Sequence, residues 1–411
     1  MLRKLAVVII AIGICVSALF IACSGGKGEL KIGAILPLTG DISNYGELIK
    51  SGMDLAVEEI NADDGVDGDT LKIVYKDSQG KPEVATDVMI ELTEKERVPL
   101  IIGGVSSTVS LTLAPIADDK QVVLLSPASS SPKLSGYKDY FFRIYPSDTL
   151  EGYSMANRIL NYQQKGNKKY FQNVVVVASQ TDYAEGIKIE FVKEFRRRGG
   201  NTEEVINYDP LKPEFEKVVS RVLTHMRDEA GAIFIAGYYE DIANFLLTLK
   251  KNPRFDPQAH KIFSCSAVYT PEFKKKAAEY FVPKDLDKYG LVFPVICHIT
   301  PDSPDEDVAM FARRFYKKYG YYPESYAAHG YDAVKLVADV IERRGSMPRD
   351  IQFGLSIVKN WMGVAGKVTI DDNHDVSKYP VIYGYDGKEM LIFDTDYKKQ
   401  RTGYYEVVVW E

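Results

Sequence analysis

Two hydroxyl-rich segments carry the residue types that could hold a small anion. Gly103-Gly104-Val105-Ser106-Ser107-Thr108 follows one apolar run, and Ser126-Pro127-Ala128-Ser129-Ser130-Ser131-Pro132 follows the next. Serine hydroxyls donate without bringing a competing charge. A helix opening near Ser107 would add unpaired N–H groups and a partial positive charge, which suits a carboxylate. The same serines also read as helix caps and turn formers. Their recurrence after neighbouring strands is what brings the binding reading level with that one. No pattern for bond chemistry accompanies them: there is no His-Glu-x-x-His, Walker loop, Gly-x-Gly-x-x-Gly, Cys-x-x-Cys or Gly-x-Ser-x-Gly. The five histidines, at 225, 260, 298, 329 and 374, lie far apart in sequence, which argues against a clustered metal site. Nothing pairs the serines with a base. The residues predict binding without catalysis, with no cofactor and no metal.

The elements that must position these segments alternate. Residues 30–36 form an apolar run too short for an ordinary helix and stopped by Pro37, which fits a strand buried on both faces. Ile49, Met53, Ala56 and Ile60 then recur at helical spacing. A strand over 71–75, a helix opened by Pro82, a strand over 100–102, a helix from Ser107 and a strand over 122–125 continue the series. A second series starts after Pro146-Ser147-Asp148, with strands near 174–177, 205–208, 232–235, 262–263 and 291–293. Helices over 184–198, 215–226 and 242–249 lie among them. Tyr45-Gly46-Glu47 in the first series is echoed by Tyr183-Ala184-Glu185 in the second. The echo predicts two similar open sheets, each mainly parallel with helices on both faces. Helices over 308–319 and 327–343 and short strands near 366–370, 381–385 and 407–410 complete the reading.

Composition agrees. The 411 residues are 45% hydrophobic, 11% aromatic and 26% charged, enough apolar material for two or three packed domains and too much for a disordered chain. The formal charge of −6 lacks the basic excess of a generic nucleic-acid binder.

The first residues are a different material. Arg3 and Lys4 precede an uncharged apolar run over 5–22, then Cys23-Ser24-Gly25-Gly26-Lys27-Gly28. A positive start, an apolar run and a small residue before the cut describe a secretory signal. Leu19-Phe20-Ile21-Ala22-Cys23 resembles a bacterial lipobox, with Phe20 where leucine is usual. The resemblance implies that residues 1–22 are removed, that Cys23 receives a lipid, and that 23–28 tether the body to a membrane. A run of roughly 18 apolar residues is also long enough to span a bilayer uncut. On either reading the body lies outside the cytoplasm. There Cys265 and Cys297 could pair as a disulfide or remain two buried thiols.

Further motifs carry a wider resemblance. Residues 32–40 (Ile-Gly-Ala-Ile-Leu-Pro-Leu-Thr-Gly), Gly65-Val66-Asp67-Gly68, Asp77-Ser78-Gln79-Gly80, Ile102-Gly103-Gly104-Val105-Ser106-Ser107, Ser126-Pro127-Ala128 and Ala327-Ala328-His329-Gly330-Tyr331-Asp332-Ala333 together resemble the substrate-binding proteins of branched-chain amino acid ABC importers. The likeness covers essentially the whole body. It implies an α/β type I periplasmic binding fold, with two lobes joined by three hinge crossings. Residues 29–147 plus 299–360 would form lobe 1, and 148–298 plus 361–411 lobe 2. It implies one small ligand in the cleft, with an ABC permease and ATPase as partners. The segments matching Ser107, Ala128 and Ser130 would hold the carboxylate and part of the amine, with Ser106 and Ser129 beside them as ligand-binding residues. Tyr45 would stand beside the ligand in lobe 1, while Tyr183 and Tyr238 would close over it from lobe 2.

One position departs from that pattern. The acid by which this family's amino-acid binders meet the ligand ammonium falls at Ser266, which carries no charge. Glu240 or Asp182 could stand in. Without a substitute, a carboxylate lacking the amine, such as an aromatic or 2-oxo acid, becomes the expected ligand. The same fold would also suit a sensory lipoprotein acting on a kinase or a cell-wall enzyme.

Overall fold

The computed structural model describes residues 28–137, 139–161, 163–164, 167–168, 171–226, 231–257, 259–278, 290–385 and 390–392. The expected signal, the lipidation site at Cys23 and the strand near 407–410 lie outside them. In the first half, β1 (Glu29–Leu36), β2 (Thr70–Asp77), β3 (Leu100–Gly103), β4 (Val123–Ser126) and β5 (Phe141–Arg143) alternate with α1 (Ser43–Ala62), α2 (Pro82–Ile90) and α3 (Ser107–Lys120). The next unit runs through α4 (Asp148–Leu160), β6 (Asn173–Ser179), α5 (Asp182–Arg197), β7 (Asn201–Tyr208), α6 (Phe215–His225), β8 (Ala232–Ala236), α7 (Tyr239–Lys251), β9 (Lys261–Ser264), α8 (Pro271–Ala278) and β10 (Leu291–Val295). The chain then returns for α9 (Glu306–Tyr319), α10 (Ser325–Arg344), α11 (Pro348–Ser356) and the hairpin β11 (Trp361–Gly363) and β12 (Gly366–Val368). It crosses again into β13 (Val381–Tyr385) and β14 (Met390–Ile392).

The first sheet has the order β2-β1-β3-β4-β5 and every pair is parallel. The second has the order β14-β13-β10-β9-β8-β6-β7, parallel except where β13 joins β10 and β14. Its parallel part repeats the connectivity of the first. The repeated tyrosines fall at equivalent places, Tyr45 in the first turn of α1 and Tyr183 in the first turn of α5. Strands such as β3, β4 and β8 are buried along their whole length, as continuous apolar runs between two helical layers must be.

Helices α1 and α10 meet backbone to backbone. A Cβ on Gly330 would lie 2.3 Å from the Ile49 carbonyl oxygen, and one on Gly52 1.9 Å from that of Ala327. That contact gives the glycine of the 327–333 motif a packing role.

Several elements differ from the sequence expectation. Helix α4, strand β5 and helix α11 have no counterpart in it. The boundary placed at 361 also moves. Hairpin β11–β12 and residues 370–376 pack on the first lobe: the Asp332 carboxylate of α10 accepts from the N–H groups of Val364 and Ala365, both at 2.8 Å. The His374 ring stacks on Phe142 of β5 at 3.9 Å. Cys265 and Cys297 are both buried free thiols.

Candidate ligand cleft

Open parallel sheets bind ligands at the carboxyl ends of their strands, where the order reverses. Here those ends of the two sheets face one another around a small cavity. Ile42 and Tyr45 enter after β1, Val105, Ser106 and Ser107 after β3, and Ala128 and Ser130 after β4. The second lobe contributes Tyr183 after β6 and Tyr238 after β8, and α10 contributes Tyr326.

The serine loops gather hydroxyl and backbone N–H donors beside the cavity. Ser106 caps α3, its Oγ accepting from Val109 N–H at 3.3 Å. The Ser107 and Thr108 N–H groups open that helix without intrahelical acceptors. Ser107 Oγ accepts from the N–H groups of Ser130 and Ser131, at 3.4 and 3.1 Å, so its own hydrogen can point into the cavity. Gly104 makes the turn possible with φ of 66°. Its carbonyl gathers the hydroxyls of Ser110, Ser126 and Ser129 beneath the loop. Ser129 thus supports this donor cradle from behind and does not line the cavity.

Four tyrosines form the walls. Tyr183 stacks on Tyr238 at 5.5 Å between ring centroids, and Tyr45 meets Tyr326 edge-on at 4.9 Å. The Tyr45 hydroxyl crosses to the second lobe, donating to the Ala267 carbonyl and accepting from Tyr239 N–H, both at 3.0 Å. Burial pushes the phenols of Tyr45, Tyr183 and Tyr326 well above their ordinary range. They serve as neutral donors and apolar surface.

Ser266 does not line the cavity either. Its N–H and Oγ donate to the two oxygens of Glu151, at 2.8 and 2.7 Å. Glu151 sits in the first turn of α4, 2% exposed, and burial pushes its carboxyl up to about 7. Asp148, three residues earlier, is 1% exposed and neither of its oxygens has a hydrogen-bond partner. Burial first, and then the charge of Glu151, raises it well above the usual carboxylate range; the Ser130 hydroxyl acts on it from beyond hydrogen-bond geometry. The acids expected as substitutes are occupied elsewhere. Asp182 spans the cleft rim to Lys133 Nζ at 2.7 Å and Thr108 Oγ1 at 3.0 Å. Glu240 pairs with Lys276 and is 44% exposed.

The structure therefore brings Tyr45, Ser106, Ser107, Ala128, Ser130, Tyr183 and Tyr238 together and leaves Ser129 and Ser266 behind the wall. Sequence reasoning missed Ile42, Val105, Tyr326, Asp148 and Glu151. A signal for the last two was present: Ser147 precedes Asp148-x-x-Glu151, an acid-rich helix start. Among the described residues no group of His, Cys, Asp and Glu is arranged to hold a metal, and no helix is long and apolar enough to cross a membrane.

Comparison with known proteins matches this architecture. The model of the periplasmic binding protein family aligns with residues 29–379. Leu/Ile/Val-binding protein homolog 3 of Brucella melitensis is 26% identical over 221 residues, 53% of this chain and 57% of that protein. Homolog 2 of Brucella abortus is 23% identical over 384 residues, 92% of this chain and 96% of that protein. The leucine-binding protein LivK of Thermotoga maritima superposes with a TM-score of 0.76 at 28% identity, over 89% of this chain and 98% of its own. These relatives are named as binding proteins, not enzymes. The chain belongs to the periplasmic binding protein family.

Proposed function

We propose that this chain is an extracytoplasmic solute-binding lipoprotein that captures a small carboxylate-bearing ligand, an amino acid or related organic acid, and delivers it to an ABC permease and ATPase. The observation that carries the reading is the cradle at Ser107. Hydroxyl and N–H donors at the start of α3 face a tyrosine-walled cavity between two lobes. Such donors fix a carboxylate, and burial between lobes supplies the remaining affinity. Lipidation at Cys23 and the tether over 24–28 would hold the body near the permease.

Thermal melting of the protein against a library of amino acids and organic acids tests the reading. A ligand at 100 times its Kd stabilises the folded state by about 2.7 kcal/mol, so a true ligand raises the melting point visibly. No shift with any carboxylate would overturn it. Ser107→Ala tests the cradle itself. Removing a hydrogen bond to a charged group costs about 1.5–3 kcal/mol, so affinity should fall roughly 10- to 100-fold with little change in melting point of the ligand-free protein. Unchanged affinity by calorimetry would reject the role.

A further inference from the structure

All three crossings between the lobes touch one short stretch of α10. The first crossing, residues 144–147, sets the Tyr145 ring against His329 at 4.8 Å between centroids. The second, residues 296–305, brings Cys297 to Ser325, its N–H donating to Ser325 Oγ at 3.4 Å. The third, residues 377–380, places Lys378 Nζ 3.0 Å from His329 Nε2. Ser325 opens α10 and His329 follows one turn later, with Tyr326 of the cavity wall between them. His329 belongs to the 327–333 motif, whose glycine packs on α1 and whose histidine lines no part of the cavity.

The hydrogen bonds fix which nitrogen of His329 holds the proton. Nδ1 lies 2.6 Å from the Ser325 carbonyl oxygen, which can only accept, so Nδ1 carries the hydrogen. Nε2 then offers a lone pair, and Lys378 donates to it. Both side chains are buried. Among the described residues no carboxylate forms an ion pair with Lys378. Asp332, further along α10, acts on it by charge but spends its two oxygens on the Val364 and Ala365 N–H groups. A buried lysine of the third crossing thus depends on a neutral histidine of the first lobe. A proton on Nε2 would remove that acceptor and set an imidazolium against an ammonium.

We infer that the first turns of α10 are the pivot on which the lobes turn, and that the Lys378–His329 hydrogen bond is a clasp that holds the lobes together until a proton on His329 releases it. This rests on the solute-binding reading above and names what keeps its cleft shut. His329 and Lys378 are positioning residues. Burial first, and then Lys378, hold the imidazole well below its ordinary range, so the clasped state refuses a proton that an opened hinge accepts. The clasp is therefore at full strength above about pH 6.5, the ordinary histidine value, and weakens up to about 10-fold per unit below it.

The other groups around the pivot do not share that response. Burial pushes the Cys297 thiol up to about 12 and the Tyr145 phenol well above its ordinary range, so both stay neutral. His298, beside Cys297, bonds to Tyr383 of β13 instead. Burial raises Asp332 to about 6 and Glu324 to about 7, and it raises Glu151, which reaches Tyr145 through Ser266, to about 7. A raised carboxyl takes up protons in its buried setting, so acid favours that setting, the opposite sign to His329. Helix α1 meets this stretch through Ile49 and Gly52, neither of which titrates.

The test reads the distance between the lobes and needs no ligand. Donor and acceptor dyes are coupled to azidophenylalanine at positions 211 and 347 of the full-length protein, both exposed and one in each lobe, and followed by single-molecule energy transfer. From pH 7.5 to pH 5 the wild-type ratio of clasped to open molecules should fall about 30-fold. His329→Gln keeps an acceptor for Lys378 and a donor for the Ser325 carbonyl but cannot take the proton, so its ratio should stay constant. His329→Leu leaves the lysine without its acceptor and should lower the ratio about 10- to 100-fold already at pH 7.5. A wild-type distribution that is the same at both pH values overturns the inference without requiring any variant to fold. So does His329→Gln if it opens in acid as the wild type does, and so does His329→Leu if it matches the wild type at pH 7.5. Failure to bind any carboxylate in the melting screen would overturn the cleft reading alone, because these distances decide the clasp separately.

Discussion

Replacing Arg143 with methionine should destabilise the first lobe by about 3–5 kcal/mol, the range for breaking a buried ion pair from one side. The Arg143 side chain has no exposed surface. Its Nε and Nη2 donate to the two oxygens of Asp375 at 2.6 and 2.8 Å, and Nη1 donates to the Ser131 carbonyl at 2.9 Å. Methionine fills much of the space but leaves the buried Asp375 carboxylate without its counter-charge, held by the Ser135 hydroxyl at 2.6 Å. The expected readout is a large drop in the urea midpoint with an unchanged slope, since the surface exposed on unfolding stays the same. Ligand affinity should fall too, because Ser131 adjoins Ser130 in the cradle loop. Arg143→Met combined with Asp375→Leu should recover much of the stability, as replacing both charges removes the unpaired ion. A midpoint unmoved by the single change would show that the pair contributes little.

Tyr45→Phe should act on ligand release. The phenylalanine ring keeps the contact with the cavity and with Tyr326. It loses two hydrogen bonds that join the lobes, and a closed cleft would then bury the Tyr239 N–H and the Ala267 carbonyl unsatisfied. Each such group costs about 1–3 kcal/mol, so the closed state should weaken by about 2–6 kcal/mol. That corresponds to roughly a 30- to 25,000-fold loss of affinity. Most of it should appear as faster dissociation, because the lobes must part before the ligand leaves. Stopped-flow displacement reads the rate directly. A dissociation rate equal to wild type would mean that the hydroxyl does not hold the lobes together.

Much of this molecule was legible from local pattern. An apolar run closed by proline or glycine can be buried on both faces only as a strand, so the alternation of elements followed from residues such as 30–37 and 100–104. The repeated Tyr-x-Glu after the first strand of each series marks the two-lobe repeat. The serine loops were readable for the same reason: strand, hydroxyl-rich turn and helix cap are neighbours in the chain.

The start of α4 was legible in Ser147-Asp148-x-x-Glu151, but the rest of the helix was not. Gly152 interrupts its pattern locally, yet glycine is required there because a Cβ would lie 2.8 Å from the Phe191 backbone nitrogen of α5. Local helix preference and tertiary packing ask for different residues at that position, and packing prevailed. The placement of 361–376 was hidden in the same way, since the Asp332 carboxylate that anchors it lies 32 residues upstream of Val364.

The sequence by itself determined the family, the parallel sheets, the donors at Ser107 and the tyrosines that face them, because each is written in a short stretch of chain. Tertiary structure alone decided where the negative charge sits. Ser266 looked like the loss of an acid, and only folding brings it onto Glu151 across 115 residues. Buried electrostatics depends on which charges share a low-dielectric space, and no spacing along the chain encodes that.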